Sequence, residues 1–502
     1  MNCVLDRLEA TVSRYKERAA VDDGSVSYTW GELLELAQRI GSALCRKHVI
    51  RKPVAVVMDK SADTLAAFLG VVYAGAFYVL INPEYPNVRI EKILATLQTD
   101  QMILDVQYEE KMRACGYQGN MVPIEAAKQT DIDSVSLDRV RAQSLDQDLL
   151  YGIFTSGSTG MPKGVIVNQR AVVDFIEQFA KTFDFSECDV IGNQAPFDFD
   201  VSVKDIYSTL KTGATMQIIP KKLFSFPMPL MDYLDDRKVT TLIWAVSALC
   251  IVTTLKGFDY KRPGCINKVI FSGEVMPVKH LNIWRETYPE AMFVNVYGPT
   301  EITCNCTYYI VDREFALDET LPMGKAFPNE RVFLLDDNDN LITPDMPDTT
   351  GEICVSGTLG YYNNREKTDQ AFVQNPLNDK YNEIIYRTGD LGYYSKAGEL
   401  YFSSRKDFQI KHMGHRIELG EIDMAINAVE GCVRACCIFD KDNNKIIGFY
   451  EGTPDKKTIT HELMKKLPKF MIPQEFVQVA SMPVTKNGKI DRNALMEGRK
   501  NA

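Results

Sequence analysis

The sequence predicts an α/β protein: a large N-terminal domain of layered α/β sheets and a small α+β C-terminal domain, joined by a hinge. Three observations predict it. At 502 residues the chain can bury more than one hydrophobic core. Helical patterns such as Trp30 to Cys45 alternate with short apolar runs such as Val54 to Met58, as in layered and largely parallel sheets. Between Leu391 and Phe402 the pattern changes to short aromatic strands and turns, ending at Ser403-Ser404-Arg405-Lys406-Asp407. The division is therefore expected at 1–404 and 405–502.

Along the chain, the first turns carry Asp6, Arg7, Glu9, Arg14 and Lys16 and hold no apolar stretch of the signal-peptide kind. The uncharged run Leu65 to Ile81 is short for a membrane span. Gly70, Gly75 and the Asn82-Pro83 stop split it into a buried helix and a strand, so no membrane insertion is expected. Leu149 to Phe154 and Val165 to Val167 read as strands on either side of a hairpin-like tongue at a sheet edge. Past the division, Glu421 to Val429 and Ile459 to Leu467 suit helices, while Cys436 to Phe439 and Ile446 to Tyr450 suit strands. That unit, roughly a hundred residues, is large enough to fold alone.

Composition is that of a globular chain, with 45% hydrophobic and 25% charged residues. A net charge of -10 argues against a polyanion as main partner, and no nucleic acid is expected. The twelve cysteines are scattered; Cys304 with Cys306 and Cys436 with Cys437 form no C-x-x-C pair. Reduced, mostly buried thiols and a cytoplasmic location follow as expectations.

Thr155-Ser156-Gly157-Ser158-Thr159-Gly160-Met161-Pro162-Lys163-Gly164 narrows the chemistry furthest. Hydroxyls, bare glycine amides and one ammonium are what a chain needs to wrap polyphosphate oxygens. It is not a Walker loop, because Pro162 precedes Lys163 and Gly164 follows it. By itself the string also reads as a Ser/Gly-rich surface turn.

The string resembles the phosphate-binding signature of the adenylate-forming superfamily, which holds acyl-CoA synthetases, luciferases and nonribosomal peptide synthetase adenylation domains. The resemblance spans nearly the whole chain. Ser27-Tyr28-Thr29-Trp30-Gly31-Glu32-Leu33, Tyr73-Ala74-Gly75-Ala76 and Asn82-Pro83-Glu84-Tyr85-Pro86 look like its early structural motifs. In Asn295-Val296-Tyr297-Gly298-Pro299-Thr300-Glu301 it implies that Tyr297 stacks on adenine, Asn295 bonds the amino edge, Thr300 touches phosphate and Glu301 holds Mg2+. In Tyr386-Arg387-Thr388-Gly389-Asp390 it implies that Asp390 accepts from both ribose hydroxyls, with Arg405 reaching the same sugar. The family's glycine before that arginine is Ser404 here, a departure, and Asp407 stands at the family's hinge.

Rotation about Asp407 would present two lysines in turn to one active site. Lys489, in Thr485 to Arg492, would bridge carboxylate and α-phosphate during adenylation. Lys411, in Gln409 to Arg416, would belong to the thiolation pose. On the residues alone, a lysine beside a glycine turn is a solvated charge.

Phe197 to Tyr207 resembles the amino-acid-activating members, in which an aspartate at the place of Asp200 pairs with the substrate ammonium. The residues leave a second reading open, Asp200 as N-cap of a helix from Val201. By motif alignment the remaining pocket positions are Val201, Lys204, Ile243, Ile270, Ser272, Val296, Cys304 and Asn305. Lys204, one helical turn from Asp200, is expected to point to solvent; neutralising Asp200 or binding an acidic side chain are the alternatives.

Length and the lack of a Gly-Gly-Asp-Ser-type carrier segment after Lys489 make D-alanine carrier-protein ligases the nearest resemblance, with Ser272 in place of their motif cysteine. The expectation is thus an enzyme that converts an amino acid and ATP to aminoacyl-AMP and pyrophosphate, then loads a phosphopantetheinylated carrier protein in trans. Its rivals are an acyl-CoA synthetase acting on an acid without an amine, and an inactive nucleotide-binding partner protein.

Overall fold

The computed structural model describes residues 3–157, 161–356, 359–406, 409–441, 443–484 and 490–500. The expected loop residues Ser158, Thr159 and Gly160, the hinge residue Asp407 and Lys489 lie outside them.

Two large sheets sandwich the main core. One has six strands in the order Asn120–Pro123, Gln101–Leu104, Pro53–Val57, Phe77–Leu80, Leu149–Thr155 and Lys163–Asn168. Its first five are parallel, and the last closes the edge as the antiparallel arm of the expected tongue. The uncharged stretch resolves into the helix Ala62–Tyr73, buried at every position but Asp63, and the strand Phe77–Leu80. Among the described residues no helix is long and apolar enough to cross a membrane.

The second sheet has nine strands. Its six middle strands, Ala19–Asp22, Thr215–Ile218, Val190–Asn193, Thr241–Ala245, Lys268–Ser272 and Met292–Tyr297, are parallel. Antiparallel strands close both edges. Thr29-x-x-Glu32 is a reciprocal capping box that starts the helix Trp30–Cys45 at its expected bounds.

The helix Val201–Thr212 runs between the two sheets. It packs on the nine-stranded sheet, and its Tyr207 hydroxyl meets that of Tyr78 from the six-stranded sheet at 2.8 Å. Ten consecutive residues, Val201 to Leu210, are buried. The expectation that Lys204 points to solvent is therefore corrected: a helix enclosed by sheets on both sides has no wet face, and Lys204 is 1% exposed. Gly213, at φ 80°, ends the helix in the left-handed cap that a side chain would strain.

A third, antiparallel sheet carries Tyr386 to Asp390, the expected ribose motif, on the strand Ile384–Tyr394, paired with Leu400–Arg405 so that Asp390 stands opposite Arg405. The expected division at 404/405 falls one residue inside that strand, which leaves Arg405 with the large body's sheet. The residues from 409 onward build a hairpin, Gln409–His412 with His415–Glu418, the helices Leu419–Asn427 and Lys456–Met464, and a three-stranded sheet. Two core clusters, centred on Ile422 and Phe449, draw only on residues after 409, as a unit with its own interior requires. All twelve cysteines are free, and seven of them are buried.

Candidate functional site

The site lies where the strand ends of both large sheets face the small unit's hairpin. Asp200, Val201, Lys204, Ser272, Gly298, Thr300, Cys304, Asn305, Asp390, Arg405 and Lys411 line one cleft. Motifs more than 200 residues apart in the chain therefore share one solvent-accessible space. Phe199, Gly273, Pro299, Gln409, Gly414 and Arg416 complete the wall. Ile243, Ile270 and Val296 sit on adjacent strands in the core beneath and do not line this cleft.

Helix Val201–Thr212 fixes the two charges of the floor. Asp200 occupies its cap position, but the side chain makes no cap hydrogen bond. Of the two readings the residues left open, N-capping is not the one the geometry supports. Burial pushes the Asp200 carboxyl up, opposed by a hydrogen bond from Thr300 and by Lys204 and Lys411. Lys204 Nζ donates to Asn305 Oδ1 at 2.8 Å and to Ser272 Oγ at 3.3 Å. Burial pushes its ammonium down, against the pull of Cys304 and Asp200.

The segment that delivers Cys304 and Asn305 is bent through Thr303 at φ 67° and Cys304 at φ 76°. For a β-branched threonine that region costs on the order of 1–3 kcal/mol, strain of the kind held where placement matters. The bend packs against Gly298, where an added Cβ would lie 2.4 Å from Asn305 Cα and 2.7 Å from the Cys304 carbonyl. Gly298→Ala should accordingly lose about 1–3 kcal/mol of stability, read from a denaturant melt, because backbone on both sides must move.

Around the phosphate string, Thr155 Oγ1 is buried without a hydrogen-bond partner among the described residues, as is expected of a hydroxyl whose acceptor is a ligand. Ser156 Oγ donates to the Arg416 carbonyl at 2.8 Å and accepts from the Glu418 amide at 3.2 Å. Gly157 packs its Cα 's open side against the Met161 carbonyl, which a Cβ would meet at 2.0 Å. Lys163 Nζ lies 5.2 Å from the Tyr361 ring centroid and 4.0 Å from Glu418 Oε1. Burial and then Arg416 bring its ammonium down to about 8.

Glu301 is buried and bound on both oxygens. Arg416 Nη1 is 2.5 Å from Oε2, and the Tyr361 hydroxyl donates to Oε1 at 2.8 Å. Burial would push this carboxyl up, but Arg416 and Lys163 overturn that and hold it at about 2. Nothing in the sequence marked Arg416 or Tyr361 as its partners; Tyr361 arrives through a bridge to Val165 on the tongue.

The nucleotide motifs meet at Asp390, which accepts from the Tyr297 hydroxyl and from Arg405 Nη1, both at 2.5 Å. Asn295 Nδ2 donates to the Pro322 carbonyl at 2.8 Å. Lys411 is half-buried, its Nζ 5.5 Å from the Tyr297 ring centroid. Its hairpin turns on Met413 at φ 51° and Gly414 at φ 80°, a tight two-residue reversal. Glu274 anchors that reversal by accepting from the Gly414 amide at 3.0 Å. A second anchor is the buried Arg89–Glu421 pair at 3.1 Å.

The family profile described as AMP-binding enzyme matches residues 8–362. The chain belongs to the AMP-binding enzyme family. This AMP-binding enzyme is 30% identical to tyrocidine synthase 1 of Brevibacillus parabrevis over 97% of its own length, and spans 44% of that relative. It is 30% identical to zwittermicin A synthase ZmaJ of Bacillus cereus, covering 98% of this chain and 94% of that one. Among solved structures, the adenylation domain AlmE of Vibrio cholerae, in complex with glycyl-adenosine-5'-phosphate, superposes with a TM-score of 0.85. The match covers 100% of this chain and 98% of AlmE at 20% identity, a likeness of fold. The family's reaction is ATP-dependent adenylation, and the AMP-binding enzyme described here has the large and small units of adenylation domain structures.

Proposed function

We propose that the chain adenylates an amino acid with magnesium ATP and passes the aminoacyl group to the phosphopantetheine thiol of a carrier protein supplied in trans. The observation that carries this reading is the shared cleft, which Asp200, Asp390, Arg405 and Lys411 all line. A carboxylate oxygen of the amino acid attacks the α-phosphorus, the bond to the β-phosphate oxygen breaks, and pyrophosphate leaves. The thiolate then attacks the acyl carbon and AMP leaves with the carboxyl oxygen. The protein supplies placement and charge for both steps rather than a covalent nucleophile.

Asp200 takes the ammonium, which an acid without an amine does not need. Asp390, with Tyr297 and Arg405 already on its oxygens, holds the ribose, Tyr297 and Asn295 hold adenine, and the Thr155 to Lys163 string with Thr300 receives phosphates. Lys489 serves the first step. The pose with Lys411 beside the Tyr297 ring suits the second.

A magnesium ion fits Glu301. A buried carboxylate held ionised offers the hard oxygen such an ion takes, and the ion habitually completes its shell with phosphate and water. When bound it would neutralise phosphate charge. In this pose Arg416 sits on that carboxylate, so withdrawal of the small unit's hairpin is what would free Glu301.

Two findings support the amino acid reading over its finer variants. The strand ends form an adenylation-domain cleft, and Asp200 keeps its side chain off the helix end. A D-alanine ligase would set a methyl group beside the Lys204 ammonium. The free thiols fit a cytoplasmic setting.

The test is amino-acid-dependent ATP–pyrophosphate exchange over a full D and L panel. Exchange with at least one amino acid is expected, falling by at least about 100-fold in kcat/KM in Asp200→Ala, where a charge-assisted contact is lost. Silence across the panel, with exchange on a carboxylic acid lacking an amine, would sink the reading.

A further inference from the structure

Lys204 carries a charge that the nucleotide chemistry does not use. It stands on the same face of its helix as Asp200, four residues on, and both line the cleft. Its only described contacts are neutral: the Asn305 amide oxygen at 2.8 Å and the Ser272 hydroxyl oxygen at 3.3 Å. An ammonium has three donors, so one remains after these two.

No carboxylate comes within 4.0 Å of it among the described residues. The neighbour in sequence, Asp205, faces elsewhere: it accepts from Asn193 Nδ2 at 2.6 Å and does not line the cleft. Asp200 is engaged by Thr300, and its backbone carbonyl accepts from Cys304 Sγ at 3.0 Å. Lys204 is 1% exposed, both its hydrogen-bond partners are neutral, and Asp200 and Asp205 act on it only from beyond contact, whereas buried charges in folded proteins are ordinarily paired directly. The cleft that Lys204 lines is where a ligand carboxylate could reach it in contact.

We propose that the amino acid activated here carries a second carboxylate in its side chain, which Lys204 binds from the pocket floor beside the Asp200 site for the α-ammonium. This rests on the amino acid reading above and names its substrate class. A dicarboxylic amino acid presents a cation and an anion to an anion and a cation, with Ser272 and Asn305 placed to hold the lysine in position. A basic side chain would bring a second cation to Lys204, and an aliphatic one would leave it alone. An arriving carboxylate also restores the ammonium that burial disfavours, because an opposite charge at contact raises a lysine's hold on its proton.

The experiment is pyrophosphate exchange by the full chain with D and L aspartate, glutamate, asparagine, glutamine, alanine and lysine, repeated for Lys204→Met and Lys204→Arg. The wild type is expected to favour one acid over its own amide by at least about 100-fold in kcat/KM. Lys204→Met should erase that ratio by lowering the acid while changing the amide less than about tenfold, and Lys204→Arg should keep part of it. A merely structural lysine would depress acid and amide together and leave the ratio intact, which overturns the proposal. So does a neutral or basic amino acid as best substrate, an outcome that leaves amino acid adenylation standing. If no amino acid is activated, both readings fall. Should Lys204→Met not fold, the wild-type panel and the arginine variant decide.

Discussion

Glu301→Gln is expected to lower kcat for pyrophosphate exchange by about 1000-fold, and to destabilise the protein as well. The catalytic part follows from the proposed role: a carboxylate that positions a cation against phosphate charge acts where charge builds, and single groups of this kind are worth about 100- to 1000-fold. The structural part follows from the pair with Arg416. Removing one partner of a buried ion pair leaves the other uncompensated, a loss of about 3–5 kcal/mol. The acidity of the group points to the same order, since a carboxyl held at about 2 rather than 4.5 contributes about 3 kcal/mol at neutral pH. The sign is set by the lowered value: this stability is fully present above about 4.5 and is lost as pH falls through about 2. The difference in melting temperature between wild type and variant should therefore be flat from pH 8 to 5. Excess magnesium should recover part of kcat, because glutamine keeps one oxygen, and none of the stability. A variant with normal turnover at ordinary magnesium would remove Glu301 from the metal's placement.

Asp390→Ala is expected to raise the KM for ATP by about 100- to 1000-fold. Each hydrogen bond from a neutral donor to an ionised carboxylate contributes about 1.5–3 kcal/mol, and the proposed ribose contact uses two. The same carboxylate orients Tyr297 and Arg405, each at 2.5 Å, so its loss also frees the ring proposed to hold adenine and takes one acceptor from the guanidinium. Exchange measured at rising ATP should show the defect in KM first, with kcat recovering at saturation. The amino acid KM should move far less, because Asp200 lies on another element. Equal loss for both substrates would mean collapse of the cleft rather than loss of a nucleotide contact.

Much of this molecule was legible in the linear sequence because its signals are local. The helix Trp30–Cys45, the apolar helix Ala62–Tyr73 and the two arms of the tongue each follow from side-chain pattern over a few residues. The nucleotide motifs were legible as a set, since each bunches its polar groups within a short turn. Arg416 and Tyr361 were not. Arg416 sits in the string read for Lys411, which gave it no role of its own, and Tyr361 in a segment with no motif, yet both end on Glu301.

Lys204 is the sharpest divergence. Four residues after an aspartate on an amphipathic-looking helix, a lysine ordinarily takes the wet side, and nothing within Val201–Thr212 forbids it. Whether that helix has a wet side depends on what covers it, and the cover is two sheets whose strands come from as far back as Ala19–Asp22. The amino-acid order determined the elements, the division into a large and a small unit and the identity of the polar groups available for nucleotide chemistry, because helix caps, strand runs and turn residues act over a few bonds. Only the tertiary structure decided which charges are sealed from water, which carboxylate Arg416 holds and that Lys204 faces the cleft, because burial and pairing are properties of segments brought together from opposite ends of the chain.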